Sequence, residues 1–381
     1  MRTNGLRVLF AVHDWGLGHA TRDLVLIRAL LAEGHRVTVL SHGRALRLLE
    51  GELDSRCEFV ALRDIPKPLS RRPFWFYVRM SLALPSVFYT FHRERRLVRQ
   101  LHDAQPLDCI VSDSRFGVWL SDVPSLQLFH SLRQIIPGRP RGLEKLVECA
   151  QRRMLGGADR ILIPDASHDG LAGDLSHDPH CDWGGRLEYI GPLASIRRRD
   201  VDQDIDFFIS VSGAEPQRTI FERLVLEQAH DLPGRVVVAL GRPDGAPVIR
   251  EDGRITVHSY LNRERQEDIM NRAALVVTRS GYSTLMELAE LGRKALLVPT
   301  PGQSEQEYLA RYHEARGHLH AVRQAELNLA RDVRIAAGYA GLPPLPSAQE
   351  SVQRFMDVLA RATGAVSQAL SRRRAASGRR A

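Results

Sequence analysis

The sequence predicts an α/β chain of two domains, each with helices wrapped around a parallel sheet. Short apolar runs rich in β-branched residues recur along it, among them Leu6–Val12, Arg36–Ser41, Leu107–Ser112 and Phe207–Val211. Such runs read as strands buried on both faces. Between them lie stretches with helical spacing, so strand and helix alternate as they do in parallel sheets. At 381 residues, 44% hydrophobic and 26% charged, the chain has length and apolar content for two separate cores.

The first strand is followed directly by HDWGLGHATR, residues 13–22. Leu24, Ile27 and Leu31 then predict a helix over 20–33. A dinucleotide-binding turn would read G-x-G-x-x-G, but Gly16 and Gly18 are followed by His19, Ala20 and Thr21. Ser41, His42 and Gly43 stand where a ribose-binding acid is expected, which argues against a nicotinamide enzyme. His19 is a candidate general base, because an imidazole is largely neutral at cellular pH; it could otherwise cap the helix or bind phosphate. His13, which its neighbour Asp14 could orient, is a further candidate. Asp113 closes the strand Leu107–Ser112 and could orient His19, act as base itself, or cap a helix.

Residues 66–99 change character. Phe74, Trp75, Phe76, Tyr77, Val78, Met80, Leu82 and Leu84 are flanked by Arg71, Arg72 and Arg79 and followed by Arg93, Arg95, Arg96 and Arg99. Apolar surface edged by arginine suits an interfacial membrane helix, and equally a helix packed on a sheet with solvated ends. Pro85 is expected to interrupt it. Strands at Leu126–Phe129 and Ile161–Pro164 complete a first domain of six or seven strands over residues 1–195, and residues 171–177 read as a loop.

GPLASIRRRDVDQDID, residues 191–206, reads as an interdomain linker. A second domain over 206–345 opens with Phe207–Val211 and the loop SGAEPQRT, in which Ser212 and Gly213 form a possible diphosphate-binding turn, with Gln217 and Arg218 as further polar contacts. Strands Val236–Leu240 and Arg254–His258 follow. Residues 274–310 then give a strand at Ala274–Val277, a turn at Arg279, Ser280 and Gly281, a helix capped by Ser283 or Thr284, and a strand at Ala295–Val298. Glu287 lies one turn into that helix, where it can accept hydrogen bonds from sugar or ribose hydroxyls. Gln303, Glu305, Gln306 and Glu307 follow a Pro-Gly turn at the carboxyl edge of the sheet, where open α/β sheets bind ligands.

These residues resemble the donor-binding half of glycosyltransferases with two Rossmann-like domains facing each other across a cleft, the GT-B fold. The branch resembled contains the N-acetylglucosaminyltransferase that makes lipid II. There an RSG turn, a Glu one turn on and a Pro-rich loop ending in a Gln pair bind the nucleotide-sugar; they resemble Arg279, Ser280, Gly281, Glu287 and Gln306 with Glu307 here, Glu307 replacing the second Gln. GLGHATR resembles the Gly-rich loop of the acceptor domain, with Gly16, Gly18, His19 and Thr21. Tyr260 and Leu261 resemble the loop that binds the uracil base. Taken together, GLGHATR, SGAEPQRT, RSGYSTLMEL and PGQSEQEYLA resemble a bacterial group of predicted glycosyltransferases.

The resemblance implies transfer of a hexose or N-acetylhexosamine from a UDP-sugar to a hydroxyl acceptor, with inversion. His19 or Asp113 is the base, Arg279 and helix N-termini stabilise the leaving group, and no metal or other cofactor is required. The acceptor is expected to be lipid-linked or a glycolipid. The alternatives are a soluble acceptor, a nucleotide-sugar epimerase or hydrolase of the same fold, and a non-catalytic nucleotide-sugar-binding protein. No D-x-D motif lies at a strand end of the donor half, and Asp202, Asp204 and Asp206 read as a solvated charge run.

The net charge of +8 concentrates at Arg71–Arg99, Arg197–Arg199 and Arg372–Arg380. No nucleic-acid-binding motif accompanies these clusters, so nucleic acid is not expected, and an anionic membrane surface explains them at least as well. Neither a signal peptide nor a bilayer-spanning run is visible, which predicts a cytoplasmic protein, peripheral on the inner face of the cytoplasmic membrane. Cys57, Cys109, Cys149 and Cys181 form no C-x-x-C pair and are expected to be reduced. A C-terminal helix over 346–362, which in such folds crosses back to the first domain, and a disordered basic tail over 363–381 complete the expectation.

Overall fold

The computed structural model describes residues 5–65, 73–136, 138–242 and 248–377, with the backbone alone for 73–81 and 365–377. The chain divides into two compact units. The first comprises Met1–His168, Asp174–Ser195 and Pro346–Ala381, and the second Asp169–Gly173 and Ile196–Leu345.

In the first unit β1 (Arg7–Val12), α1 (Leu17–Ala32), β2 (Arg36–Ser41), α2 (Gly43–Leu53) and β3 (Glu58–Ala61) form one wing of the sheet. The long helix α3 (Pro73–Ala104) then leads to β4 (Cys109–Asp113), β5 (Ser125–Leu128), α4 (Arg141–Met154), β6 (Arg160–Ile163) and β7 (Leu187–Tyr189). The seven strands lie in the order β3-β2-β1-β4-β5-β6-β7, all parallel. β1 is paired on one side with β2 and on the other with β4, so the order reverses between β1 and β4. At such a switch point the loops leaving the two strands diverge and open a crevice. Leu9, Ala11, Leu40 and Ile110 pack against Val98 of α3 on one face. Leu24, Leu26, Ile27 and Leu30 of α1 are also buried.

The second unit follows the same plan. Its elements are β8 (Ile205–Ser210), α5 (Gln217–Gln228), β9 (Val236–Ala239), β10 (Ile249–Asp252), β11 (Ile255–His258), α6 (Arg263–Arg272), β12 (Ala273–Thr278), α7 (Tyr282–Leu291), β13 (Lys294–Leu297), α8 (Ser304–Ala315), β14 (His320–Ala321) and α9 (Leu329–Ala337). The strand order is β10-β11-β9-β8-β12-β13-β14, parallel except for the β10–β11 hairpin, with the reversal between β8 and β12. Val236, Val238, Leu275, Val277, Leu296 and Val298 form its core with Phe221 and Val225 of α5 and Val333 of α9. α7 ends at Gly292, whose φ of 61° lets its N–H cap the last turn, a conformation that costs a residue with a Cβ more. The final helix α10 (Ala348–Ser377) packs on α1 and so belongs to the first unit.

Four expectations are corrected here. α3 runs continuously through Pro85, although proline removes one backbone hydrogen bond from the helix. α10 continues to Ser377 where an unfolded tail was expected from 363; Ala and Arg, both strong helix formers, are frequent in that stretch. Residues 378–381 lie outside the described residues, as do Arg71, Arg72 and the side chains of Phe74, Trp75 and Phe76. Cys149 and Cys181 are bonded, with Cα atoms 6.1 Å apart, while Cys57 and Cys109 are free. Their spacing of 32 residues gives no hint of this, because only the return of the chain past α4 brings them together. The expected loop over 171–177 contains a 3-10 turn, Gly173–Leu175, and its start belongs to the second unit, where the Leu171 carbonyl accepts from His313 Nε2 at 3.0 Å.

Candidate functional site

In the first unit the candidate residues gather at the β1/β4 switch point. α1 begins after Gly16, so Gly18 and His19 fall in its first turn, and Asp113 is the last residue of β4. His19 Nδ1 lies 2.8 Å from Asp113 Oδ2. Arg22, one turn further along α1, holds the same carboxylate with two hydrogen bonds, from Nε at 2.8 Å and Nη2 at 2.5 Å, and its Nη1 reaches His130 Nδ1 at 3.2 Å. Thr21 donates its hydroxyl to the Gly18 carbonyl at 3.1 Å, so it closes the helix start rather than offering a donor outward.

Asp113 is wholly buried. Burial alone would raise its carboxyl, but the Arg22 guanidinium and then His19 hold it well below the usual range. The carboxylate thus accepts from Arg22, faces His19 Nδ1 and also accepts from the Ser114 hydroxyl at 2.9 Å. Burial lowers His19 to about 4, outweighing the pull of Asp113, while about a fifth of its side chain reaches solvent. His19 Nδ1 also lies 2.9 Å from Arg22 Nη2; in the tautomer that carries its proton on Nδ1, facing the Asp113 carboxylate, Nε2 keeps the lone pair a general base needs. Asp23 is buried nearby, and burial followed by the Asp113 charge pushes its carboxyl well above the usual range.

His13 is oriented by Asp64, which follows β3, through a 2.6 Å contact at Nδ1. Asp14, expected in that role, instead lies 3.4 Å from His42. Burial would raise Asp64, but the His13 hydrogen bond and the Arg115 charge bring it to about 2. The two imidazoles meet edge to face at 5.0 Å. Arg22, Asp64 and His130 were not anticipated. Arg22 carried a usable signal, since it sits three residues after His19 and so shares its helix face.

In the second unit the loops that leave β8, β11, β12 and β13 at their carboxyl ends carry the candidate donor residues. Ser212 and Gly213 follow β8 and are exposed, and Gly213 takes a φ of 115°. Half-buried Tyr260 and buried Leu261 follow β11. Gly281 precedes α7 without any side-chain cap, and half-buried Ser283 lies inside the first turn, correcting the expected capping by Ser283 or Thr284. The helix starts earlier than its apolar spacing suggested, which leaves its amino end without a side-chain acceptor.

Arg279 is corrected most sharply. It is 1% exposed, and all five of its N–H donors face protein acceptors: the carbonyls of Ser212 (3.3 Å), Val298 (3.0 Å), Pro299 (3.3 Å) and Gln217 (3.0 Å), and Gln324 Oε1 (2.7 Å). Its guanidinium also lies 4.1 Å over the Phe221 ring, and burial lowers its pKa to about 10. A guanidinium has five donors, so Arg279 ties together the floor beneath the β8, β12 and β13 loops and has none to offer a diphosphate.

The remaining candidates brace one loop. Ser280 Oγ donates to the Gln306 carbonyl at 2.7 Å, Thr300 N–H to Gln306 Oε1 at 2.9 Å, and Gly302 N–H to Glu307 Oε1 at 2.9 Å. Gln303 precedes α8 and Glu305 lies in its first turn. Glu287 is buried in α7, 3.0 Å from Arg263 Nη1. An ion-paired carboxylate retains acceptor positions for a hydroxyl.

Residues 211–335 match the glycosyltransferase family 28 C-terminal domain. An uncharacterized glycosyltransferase of Methanosarcina acetivorans is 23% identical over 82% of this chain and 84% of its own length. Among solved structures, the glycotransferase of kitacinnamycin superposes with a TM-score of 0.60 at 15% identity, covering 97% of this chain and 99% of that one. MurG of Acinetobacter baumannii superposes with 0.52 at 14% identity, covering 93% and 99%. The chain is thus glycosyltransferase-like, with the two Rossmann-like domains of the GT-B fold and a match to the family 28 C-terminal domain over residues 211–335.

Proposed function

We propose that the protein transfers a hexosyl or N-acetylhexosaminyl group from a UDP-sugar to a hydroxyl acceptor, with inversion at the anomeric carbon and without a metal. The observation that carries this reading is the pairing of His19 with a buried, ionised Asp113 at the switch point of the first unit. His19 Nε2 takes the proton of the acceptor hydroxyl as the oxygen attacks, and Asp113 with Arg22 holds the imidazole in place. The second unit binds the donor: Glu287 takes ribose hydroxyls, Tyr260 and Leu261 the base, and Gln303, Glu305, Gln306 and Glu307 line the sugar side. Negative charge developing on the departing diphosphate falls to the amino end of α7 and to the Ser212–Gly213 turn, since Arg279 is committed elsewhere.

The acceptor in this reading is lipid-linked or a glycolipid, met at the inner face of the cytoplasmic membrane. The support is on α3, where Leu82, Leu84, Phe88 and Tyr89 are exposed between arginines. Among the described residues no helix is long and apolar enough to cross a membrane, so attachment would be peripheral. The test is UDP release from a UDP-sugar panel with and without a membrane-lipid extract. Release that depends on the extract supports transfer to a lipid, and release that depends on a soluble extract assigns a soluble acceptor. Donor turnover with no acceptor indicates an epimerase or hydrolase and overturns transfer.

A further inference from the structure

The first unit contains a second polar site, away from the His19 cluster, that no motif announces. A cavity of about 590 Å³ is lined by Arg133, Arg139, Arg141, Gly142, Lys145 and His180. Two acids, Asp174 and Asp178, complete the lining. Arg139 is matched by Glu144 at 2.9 Å and Asp174 at 3.0 Å, and Arg133 lies 3.8 Å from Asp174. Among the described residues no carboxylate pairs with Arg141 or Lys145, so the cations outnumber the acids even with Glu144 counted.

Three features make this a constructed site. The Arg133 side chain is only 8% exposed and donates from Nη1 to the Asp178 carbonyl at 3.4 Å, while its Nε and the buried Nε2 of His180 have no hydrogen-bond partner among the described residues. A donor left unmatched in a buried position is costly, and the charge of the Arg133 side chain, which lines the cavity, is what an anion there would meet. The first turn of α4, at Arg141 and Gly142, lines the cavity, and a helix amino end favours anions. The walls are fixed to each other. Glu148 of α4 accepts from the N–H groups of His180 and Cys181, both at 2.9 Å, and from Trp183 Nε1 at 3.2 Å, and the Cys149–Cys181 bond joins the same two segments.

We propose that this pocket binds a phosphate or diphosphate group. Forked guanidinium donors, a point-charge ammonium and a helix amino end suit phosphoryl oxygens better than a single carboxylate. The loop after β5 supplies Arg133 to the pocket and, three residues earlier, His130 to the Arg22–Asp113 cluster, so the two sites share a support. The proposal stands whether or not the transferase reading does.

Lys145 gives a local readout, because the chain has three lysines, Lys67, Lys145 and Lys294. Acetylation by an N-hydroxysuccinimide ester is followed by peptide mass spectrometry on the full chain, with pyrophosphate or with phosphatidic acid in phosphatidylcholine vesicles, at matched ionic strength. Lys294, in the second unit with its Nζ on the Ala337 carbonyl, serves as control. Pyrophosphate at ten times its dissociation constant is expected to slow Lys145 about tenfold and leave Lys294 unchanged. Arg133→Gln and Arg141→Gln abolish the protection, and exposed Arg141 can be replaced without risk to folding. Protection by pyrophosphate alone assigns a soluble phosphate ester, and protection by both probes assigns a lipid-borne one. No protection by pyrophosphate, protection by vesicles alone, or protection that survives in both variants overturns the proposal.

Discussion

Arg22 and Asp113 form a buried bidentate pair, Nε to Oδ2 at 2.8 Å and Nη2 to Oδ1 at 2.5 Å, that joins the first helix to the fourth strand across the switch point of the first sheet. Both side chains are almost completely shielded from water. Removing one partner would strand the other charge. Arg22→Gln is therefore expected to destabilise the protein by about 3–5 kcal/mol, measured by urea unfolding. A loss below about 1 kcal/mol, with turnover intact, would mean that the pair neither holds the fold nor the base.

His19 makes stability depend on pH in a defined direction. Its folded-state pKa, lowered to about 4 by burial, lies below the unfolded value of 6.5. A depressed histidine contributes its stabilisation fully above pH 6.5, and the contribution is lost as pH falls from 6.5 toward 4. Allowing for the partial exposure of the ring, the loss is on the order of 2–3 kcal/mol, and it should be absent in His19→Gln. In turnover, the acidic limb should lie well below pH 6.5 and His19→Ala should cost roughly 10²- to 10⁴-fold with donor affinity retained. An acidic limb at 6.5 would contradict the buried, neutral imidazole.

Arg279→Lys separates the two tasks this residue could have. A lysine cannot reproduce five fixed donors, so unfolding of the second unit should need about 3 kcal/mol less or lower still. If stability is unchanged and only diphosphate affinity falls, the side chain contacts ligand after all.

Membrane attachment can be read on α3. Replacing Leu82, Phe88 and Tyr89, which are 77%, 58% and 65% exposed, by Ser removes apolar area without opening a core. Co-sedimentation with anionic vesicles at low salt should fall by roughly tenfold, since each nearby arginine contributes about 1 kcal/mol and needs an apolar anchor to act on. Equal sedimentation of variant and wild type would favour a soluble acceptor.

The sheet strands were legible because residues buried on both faces must be apolar and β-branched. Ala274–Val277 and Ala295–Val298 were read within a residue of β12 and β13. The candidate loops were legible for a related reason: glycine and polar residues must follow each strand where the chain turns at the sheet edge. Direction was not legible. Arg279 and a diphosphate-binding arginine look alike in sequence, and only the convergence of four carbonyls and Gln324 shows that this one points inward. Pairing across long separations was equally hidden: Asp64 reaches His13 over 51 residues, and Cys149 meets Cys181 only because the chain returns past α4.

The division of labour between the units is tested most directly by calorimetric titration of UDP into the wild type, Glu287→Ala and His19→Gln. UDP should bind the wild type with a dissociation constant on the order of micromolar, and Glu287→Ala should weaken it by roughly tenfold or more, a loss of about 1.4 kcal/mol. His19→Gln should bind as the wild type does. No heat of binding with UDP, or an equal loss of affinity in both variants, would contradict a donor site in the second unit with its base in the first.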